Sequence, residues 1–408
     1  MDLSSDIDRD SSGSRTRMKL KLDCRHYLGD RPCRKGCQGE CQYYEPMGHR
    51  ILLIKLAALG DVIRTEALLP GLKNAFPTSH ITWVSRADGC RMLAGNPLID
   101  RRLEYGAETL CRLQCEKFDL VINLDKEPGP AALAMQVDAE DKRGIGLSPH
   151  GTIYPLNPEA HYYFALGLSD HLKFEDNHSS YQRLIYEALG LPYDGERYSL
   201  FPSSADEDHA REVLRRAGVR DNEELVGLNT GAGSMFANKT WPAEKFVTLA
   251  KNLLGRGDCR VMLLGGPEEV EKNDWIAQQA GPQVIHPGCG HSELEFAALL
   301  RRCSAILSGD TTAMHVAIAL RVPVVVLFGP TCSQEIDLYG RGVKLISKIE
   351  CTPCYKRHCD YSPNCMDMIS VKQAEEALGR SLGKQAAPPL EMPPLPRHAD
   401  VPHDAPVT

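Results

Sequence analysis

Three short segments combine residue types that could move a proton or hold an anion. The first is Leu59-Gly60-Asp61-Val62, directly after the apolar run Ile51-Leu52-Leu53-Ile54. Glycine permits a sharp strand-to-helix turn there, and the carboxylate of Asp61 has two readings. It caps the following helix by accepting a backbone N–H, or it takes a proton from an acceptor hydroxyl. The two are compatible, because a capping carboxylate keeps a second oxygen. The second segment is Asn229-Thr230-Gly231-Ala232-Gly233-Ser234, followed by Lys239-Thr240-Trp241-Pro242. Small residues such as Thr230, Gly231, Gly233 and Ser234 leave backbone N–H groups open to phosphate oxygens, and Lys239 adds a mobile positive charge. The lysine does not directly follow the last glycine, so this is no Walker loop, and a plain connecting turn reads equally well. The third segment is Ser308-Gly309-Asp310-Thr311-Thr312-Ala313-Met314-His315. Here a strand ends, Asp310 or a threonine caps, and a helix starts, so the N–H groups of Thr311, Thr312 and Ala313 join the positive helix end as an anion site. The alternative is a well-capped structural helix with His315 as a hydrogen-bonded core residue. A further turn, Gly265-Gly266-Pro267-Glu268, would let a nucleoside approach the backbone at Gly266 while Glu268 bonds ribose hydroxyls.

Eight cysteines fall in two groups. Cys351, Cys354, Cys359 and Cys365 have the compact spacing of a four-thiolate site for zinc or iron. Cys24, Cys33, Cys37 and Cys41 are looser, but lie in a segment too small to fold by apolar burial alone. Reduced structural thiols, or thiols of both groups meeting at one site, are the alternatives. Four thiolates leave no open position, so any such metal is expected to be structural, with no catalytic metal.

These segments must be positioned by strands and helices. Short apolar runs at 51–54, 81–84 and 120–123 read as strands covered on both faces. An amphipathic stretch, Val62 to Phe76, reads as a helix ended by Pro77. The pattern restarts at 225–228, 261–264, 305–307 and 324–327, with helices expected over 242–256, 267–280, 292–302 and 311–320. Alternating strands and helices imply an α/β fold of two Rossmann-like, doubly wound parallel-sheet domains facing a central cleft. The expected boundaries are a disordered 1–17, a Cys-rich module 18–49, a first domain 50–195, a linker region 196–224, a second domain 225–370, a C-terminal helix 371–384 and a Pro-rich disordered tail 385–408.

The chain of 408 residues carries 47 basic and 54 acidic side chains, a net charge of −7, which argues against a broad nucleic-acid-gripping surface. No apolar run reaches the roughly 20 residues of a membrane span, and the polar, acidic start lacks the layout of a secretion signal. A cytoplasmic protein is expected, in the cytosol or at the inner face of the inner membrane. Lys55, Arg64, Arg86, Arg91, Arg101 and Arg102 would draw an anionic partner to the first domain, or else form a solvated face with scattered salt bridges.

The segments KLAALGDVIRTEALLPGLKNAFP, VGLNTGAGS, KTWP, VMLLGGPEE, LSGDTTAMHVAIALRVPVVVLFGPT and CTPCYKRHC, in that order, resemble family 9 glycosyltransferases, the heptosyltransferase family. The resemblance covers about 50–370 and implies a GT-B architecture, with the acceptor in the first domain and the nucleotide-sugar in the second. It implies inverting, metal-independent transfer of a heptose from an ADP-linked donor, commonly to lipopolysaccharide inner core. The family's candidate base falls on Asp61, its lysine before Trp-Pro on Lys239, and its early lysine on Lys55. Its phosphate motif falls on Asp310, Thr311, Thr312 and His315, where Thr312 replaces the usual glycine and narrows the room for a diphosphate. Relatives that glycosylate autotransporter proteins hold iron through C-terminal cysteines, which keeps a protein acceptor open beside an anionic glycolipid. A transient association with the inner membrane would accompany a glycolipid. An epimerase or a transferase with another donor, and a non-catalytic metal-stapled binding protein, are the remaining alternatives.

Overall fold

The computed structural model describes residues 20–33, 35, 41–220, 223–233 and 239–382, and the backbone of 7–9 and 15–17. Ile7–Arg9 (β1) pairs antiparallel with Arg15–Arg17 (β2), so part of the stretch expected to be disordered is extended. The rest of 1–17, the tail 385–408, Cys37 and Ser234 lie outside the described residues.

The first domain is built on β3 (Arg50–Ile54), β4 (His80–Ser85), β5 (Arg101–Glu104), β6 (Lys117–Asn123), β7 (Asp138–Leu147) and β8 (Ile153–Pro155), in the order β5-β4-β3-β6-β7-β8. All neighbours are parallel except β7 and β8. Its helices are α1 (Leu59–Thr65), α2 (Leu68–Ala75), α3 (Ala87–Met92), α4 (Ala107–Leu113), α5 (Pro128–Gln136), α6 (Ala160–Ala165) and α7 (Tyr181–Ala188), with a π-helical turn at Leu172–Asp176. Side chains on a strand alternate between faces, and β3 shows the consequence. Ile51 and Leu53 enter one core with Trp83 and Leu72, while Leu52 and Ile54 enter another with Phe118 and Leu133. That is why the run is apolar without a break.

The second domain contains α8 (Ser204–Arg216), β9 (Leu225–Asn229), α9 (Ala243–Arg256), β10 (Arg260–Leu264), α10 (Val270–Ala280), α11 (Glu293–Arg301), β11 (Ala305–Gly309), α12 (Thr312–Ala319), β12 (Val324–Phe328), β13 (Gly342–Ile346) and α13 (Val371–Leu382). Its sheet is wholly parallel, β10-β9-β11-β12-β13. Val324, Val326 and Phe328 face one core, and Val325 and Leu327 the other. None of the described helices is long and apolar enough to cross a membrane.

Two expectations change. The helix expected over 62–76 begins at Leu59 and breaks after Thr65, restarting at Leu68. Pro70 explains the break, because its ring has no N–H and collides with the carbonyl four residues back, that of Glu66. The partly helical stretch expected as a linker is instead packed into the second domain: Ala210 and Leu214 of α8 share a core with Ala297 and Ala298 of α11. The same core takes in Ile63 and Ala67 of the first domain, so the two domains meet through apolar contact below the cleft.

The break in the first helix leaves Glu66 buried, its carboxylate accepting from Asn96 (2.8 Å) and from the backbone N–H of Ser199 (2.6 Å). Burial pushes this carboxyl up to about 7 against those two hydrogen bonds. A carboxyl raised in the folded state is protonated more readily there than in the unfolded chain. Its contribution is therefore fully present at low pH and is lost as pH rises from about 4.5 through 7. The expected loss is roughly 3 kcal/mol. Glu66→Gln should remove that part of the slope, measured by urea denaturation at pH 5 and 8; an unchanged slope would show that another group titrates.

Candidate active site

The carboxyl ends of β3 and β6 open onto one side of the first sheet, where ligands bind on doubly wound folds. Asp61 sits there in the first turn of α1, at its third position. It does not cap, because the N-cap is Ala58 and no side chain caps the helix. Its carboxylate instead pairs with Arg64 at 2.7 Å. Burial would raise the Asp61 carboxyl, but the charges of Arg64 and Lys55 more than offset this and hold it below the ordinary carboxylate value. Arg64 lies on the Tyr181 ring (3.7 Å) and reaches Glu335 of the second domain at 3.7 Å.

Lys55 is buried and paired with Asp125 at 2.6 Å, and the other oxygen of Asp125 accepts from the N–H groups of Leu56 (2.6 Å) and Ala57 (3.1 Å). This clamp fixes the loop between β3 and α1, and with it the position of Asp61. Asp61, Lys55, Arg64, Asp125, Lys126 and Lys173 line a cavity of about 300 Å³, which Glu335 borders from the second domain. Among the described residues Lys126 and Lys173 form no ion pair; Lys126 lies over the Tyr163 ring at 4.1 Å and Lys173 over Tyr355 at 3.9 Å. Burial pushes Lys126 down to about 8.

The second domain packs against α1, the helix that carries Asp61, through α12. Thr311 occupies its N-cap, yet no side chain caps the helix, so the first N–H groups stay available. The Thr311 hydroxyl is turned to Asn229 (3.3 Å) and Ser308 (3.1 Å) instead. Lys239 donates to the carbonyl (3.1 Å) and carboxylate (3.2 Å) of Asp310, tying the Lys239 segment to the start of the helix. Burial opposes ionisation of Asp310, but the charge of Lys239 keeps its carboxyl low. His315 is buried, bonded through Nδ1 to Tyr198 (3.2 Å), and pushed down to about 4 by burial and by Arg64, so it is a neutral imidazole. Its ring lies against Gly60: a Cβ there would stand 2.7 Å from Cδ2. Gly60 thus serves the close approach of α1 to α12, not a sharp turn, since it lies inside α1.

The remaining expected site residues divide. Thr230 is buried and fully engaged: its hydroxyl donates to Asn273 (2.5 Å), its N–H donates to the Leu264 carbonyl (3.1 Å) and its carbonyl accepts from Lys272 (2.7 Å), which leaves the glycines to face a ligand. Gly233 adopts a positive φ of 66°, and Gly231 has Glu269 where a Cβ would be, at 2.7 Å. Glu268 is exposed; the carboxylate that turns to the glycines is Glu269, which accepts from Gly266 N–H at 2.9 Å. Arg91 and Arg101 pair with Glu293 and Glu116, and Arg86 and Arg102 donate to backbone carbonyls, so of the six basic residues expected to attract an anion, Lys55 and Arg64 line the cavity. Asp125 and Lys126 follow an apolar strand, a position that could have signalled them; Lys173 and Glu335 had no local signal.

The cysteines are close to one another without closing a site. Burial and the neighbouring Cys354, Cys359 and Cys351 push Cys365 up to about 11. Among the described residues, however, no three of these sulfurs lie within 4.8 Å of one another, wider than a tetrahedral Zn–S site with bonds near 2.3 Å requires. Cys24 and Cys33 are buried and Cys41 partly exposed. Cys24 bridges to Pro46, and Arg25 beside it reaches Asp100 at 3.6 Å, which seats the segment on the first domain.

Comparisons with known proteins bear on the fold and the family. The family model for glycosyltransferase family 9 (heptosyltransferase) matches residues 109–364. Lipopolysaccharide heptosyltransferase 1 of Pseudomonas aeruginosa is 26% identical over 339 residues, 77% of this chain and 88% of that one. A family 9 glycosyl transferase structure from Veillonella parvula has a TM-score of 0.63 at 23% identity, covering 82% of this chain and 97% of its own. The structure of Escherichia coli ADP-heptose lps heptosyltransferase II gives 0.61 at 18%, covering 82% and 98%. Two parallel-sheet domains, the shared cleft and the sequence match together place the chain in glycosyltransferase family 9, the heptosyltransferase family.

Proposed function

We propose that this glycosyltransferase moves a heptose from ADP-heptose, with inversion and without a catalytic metal, to a hydroxyl of an anionic lipopolysaccharide-core acceptor. The observation that carries the proposal is the contact of α1 with α12. It sets the Asp61 carboxylate in a cavity beside a helix N-terminus that no side chain caps. Asp61 accepts the proton of the acceptor hydroxyl, whose oxygen attacks the anomeric carbon from the side opposite the diphosphate. The bond to the diphosphate breaks, and its electron pair leaves with ADP. The N–H groups at Thr312 and Ala313, with the positive end of α12, stabilise that charge. Lys239 anchors the turn through Asp310 and adds positive charge beside it. Glu269, next to the glycine turns, is suited to hold ribose hydroxyls. The name of the Escherichia coli neighbour, which includes ADP-heptose, supports this donor.

Two experiments test this reading. ADP should raise the melting temperature clearly more than UDP or GDP, as differential binding requires. Mass spectrometry should then show one heptose added to a phosphorylated core acceptor from ADP-heptose. No response to any nucleotide, or transfer from another donor alone, would contradict the proposal.

Lys126 and Lys173 are the cations placed to meet an anionic acceptor. Lys126→Ala and Lys173→Ala should each raise the acceptor KM about tenfold, the loss of one charged hydrogen bond, with donor KM unchanged. Because Lys126 loses its proton near pH 8, the wild-type acceptor KM should rise above that pH and the Lys126→Ala value should not. Steady-state kinetics across pH 6.5–9 checks both.

A further inference from the structure

Away from the cleft, α8 and α11 bring together three side chains of a different chemistry. His209 projects from the middle of α8, His291 directly precedes the N-cap of α11, and Glu295 lies in its first turn. His209 Nε2 is 3.1 Å from His291 Nδ1, and His209 Nδ1 is 3.4 Å from a Glu295 oxygen. One ligand atom from each residue lies within 4.8 Å of the others, and all three are half-buried. Among the described residues no other group of this kind occurs.

We propose that His209, His291 and Glu295 bind a divalent transition-metal ion of the zinc class. Two imidazoles and a carboxylate form a borderline donor set suited to Zn²⁺, Co²⁺ or Ni²⁺ and not to Mg²⁺ or Ca²⁺, which take oxygen ligands. The 3.1 Å between His209 Nε2 and His291 Nδ1 is close to the edge, about 3.3 Å, of a tetrahedron with metal–ligand bonds near 2.0–2.1 Å, and a Glu295 oxygen lies within 4.8 Å of the two imidazole ligand atoms. The ligands are held before any ion arrives. Glu295 spends its other oxygen on the N–H of Ser292 (2.8 Å) in a capping box, which fixes its rotamer. The α8 helix is locked to α11 by the shared apolar core and by the Glu207–Arg301 pair at 3.1 Å. A second observation points the same way: His291 Nδ1 faces the His209 imidazole nitrogen, two ring nitrogens that can share only one proton. An ion taking the place of the shared proton would be ligated by both rings, leaving one position for water.

The ion would staple α8 to α11, two residues beyond Glu293, which pairs with Arg91 of the first domain. The site is therefore expected to affect stability and not the transfer reaction.

The test uses the full chain, reduced and stripped with chelator. Added Co²⁺ should give weak visible d–d bands without the intense near-ultraviolet charge-transfer absorption of thiolate ligation, and one equivalent should survive gel filtration. Zn²⁺ should raise the melting temperature. His209→Ala and His291→Gln, each checked for wild-type circular dichroism and ADP response, should bind one equivalent fewer and lose that rise. Equal stoichiometry in wild type and both variants would overturn the proposal, and so would cobalt spectra showing thiolate ligation alone. If a variant fails to fold, the wild-type cobalt spectrum still decides.

Discussion

Asp61→Asn is expected to lower turnover by about 10²–10⁴-fold, the usual contribution of a positioned general base, while leaving the fold and ADP binding intact. Asparagine keeps the size of the side chain and a polar contact to Arg64, so the Arg64 platform on Tyr181 should persist. The carboxylate it replaces is held low, because Arg64 and Lys55 outweigh the effect of burial. Asp61 is therefore ionised and able to accept a proton down to a pH below the ordinary carboxylate value. The acid limb of kcat/KM should accordingly fall below about pH 4. Arg64→Gln should move that limb upward, because the guanidinium paired with Asp61 is gone. Turnover of Asp61→Asn within a few-fold of wild type would remove Asp61 from the reaction.

Asp125→Ala is expected to destabilise the protein by about 3–5 kcal/mol. The substitution leaves Lys55 charged and buried, and strands the N–H groups of Leu56 and Ala57 that Asp125 now accepts. Burial works against the charge on Lys55, and its neighbours Tyr181 and Asp125 sustain it. Lys55→Met combined with Asp125→Leu should lose much less than Asp125→Ala alone, because no unpaired charge remains. Urea denaturation followed by circular dichroism gives both values. Equal losses in the single and double variants would show that the backbone contacts, not the charge pair, dominate.

The central strands were legible because both faces are covered. Ile51–Ile54 and Val324–Phe328 need apolar residues at every position, and an unbroken run reports that directly. The edge and near-edge strands were not. Arg101–Glu104, Asp138–Leu147 and Gly342–Ile346 carry polar side chains on a partly exposed face, and resemble loops when read alone. Candidate site residues at strand-to-helix junctions, Asp61 and the 310–315 turn, are legible because sheet topology dictates where ligands bind. Sequence adjacency does not show which of two carboxylates, Glu268 or Glu269, turns inward. The Pro267–Glu269 turn sends Glu268 outward and folds Glu269 back on Gly266. Lys173 and Glu335 reach the cavity from a π-helical turn and a loop after β12, and such convergence follows from tertiary packing alone.

The most direct measurement is a structure of the chain with ADP bound. The β-phosphate is expected about 2.7–3.1 Å from the N–H groups of Thr312 and Ala313, with the Asp61 carboxylate facing it across the cleft. A diphosphate held away from the start of α12, or an Asp61 side chain turned from it, would contradict the pairing of base and anion cradle.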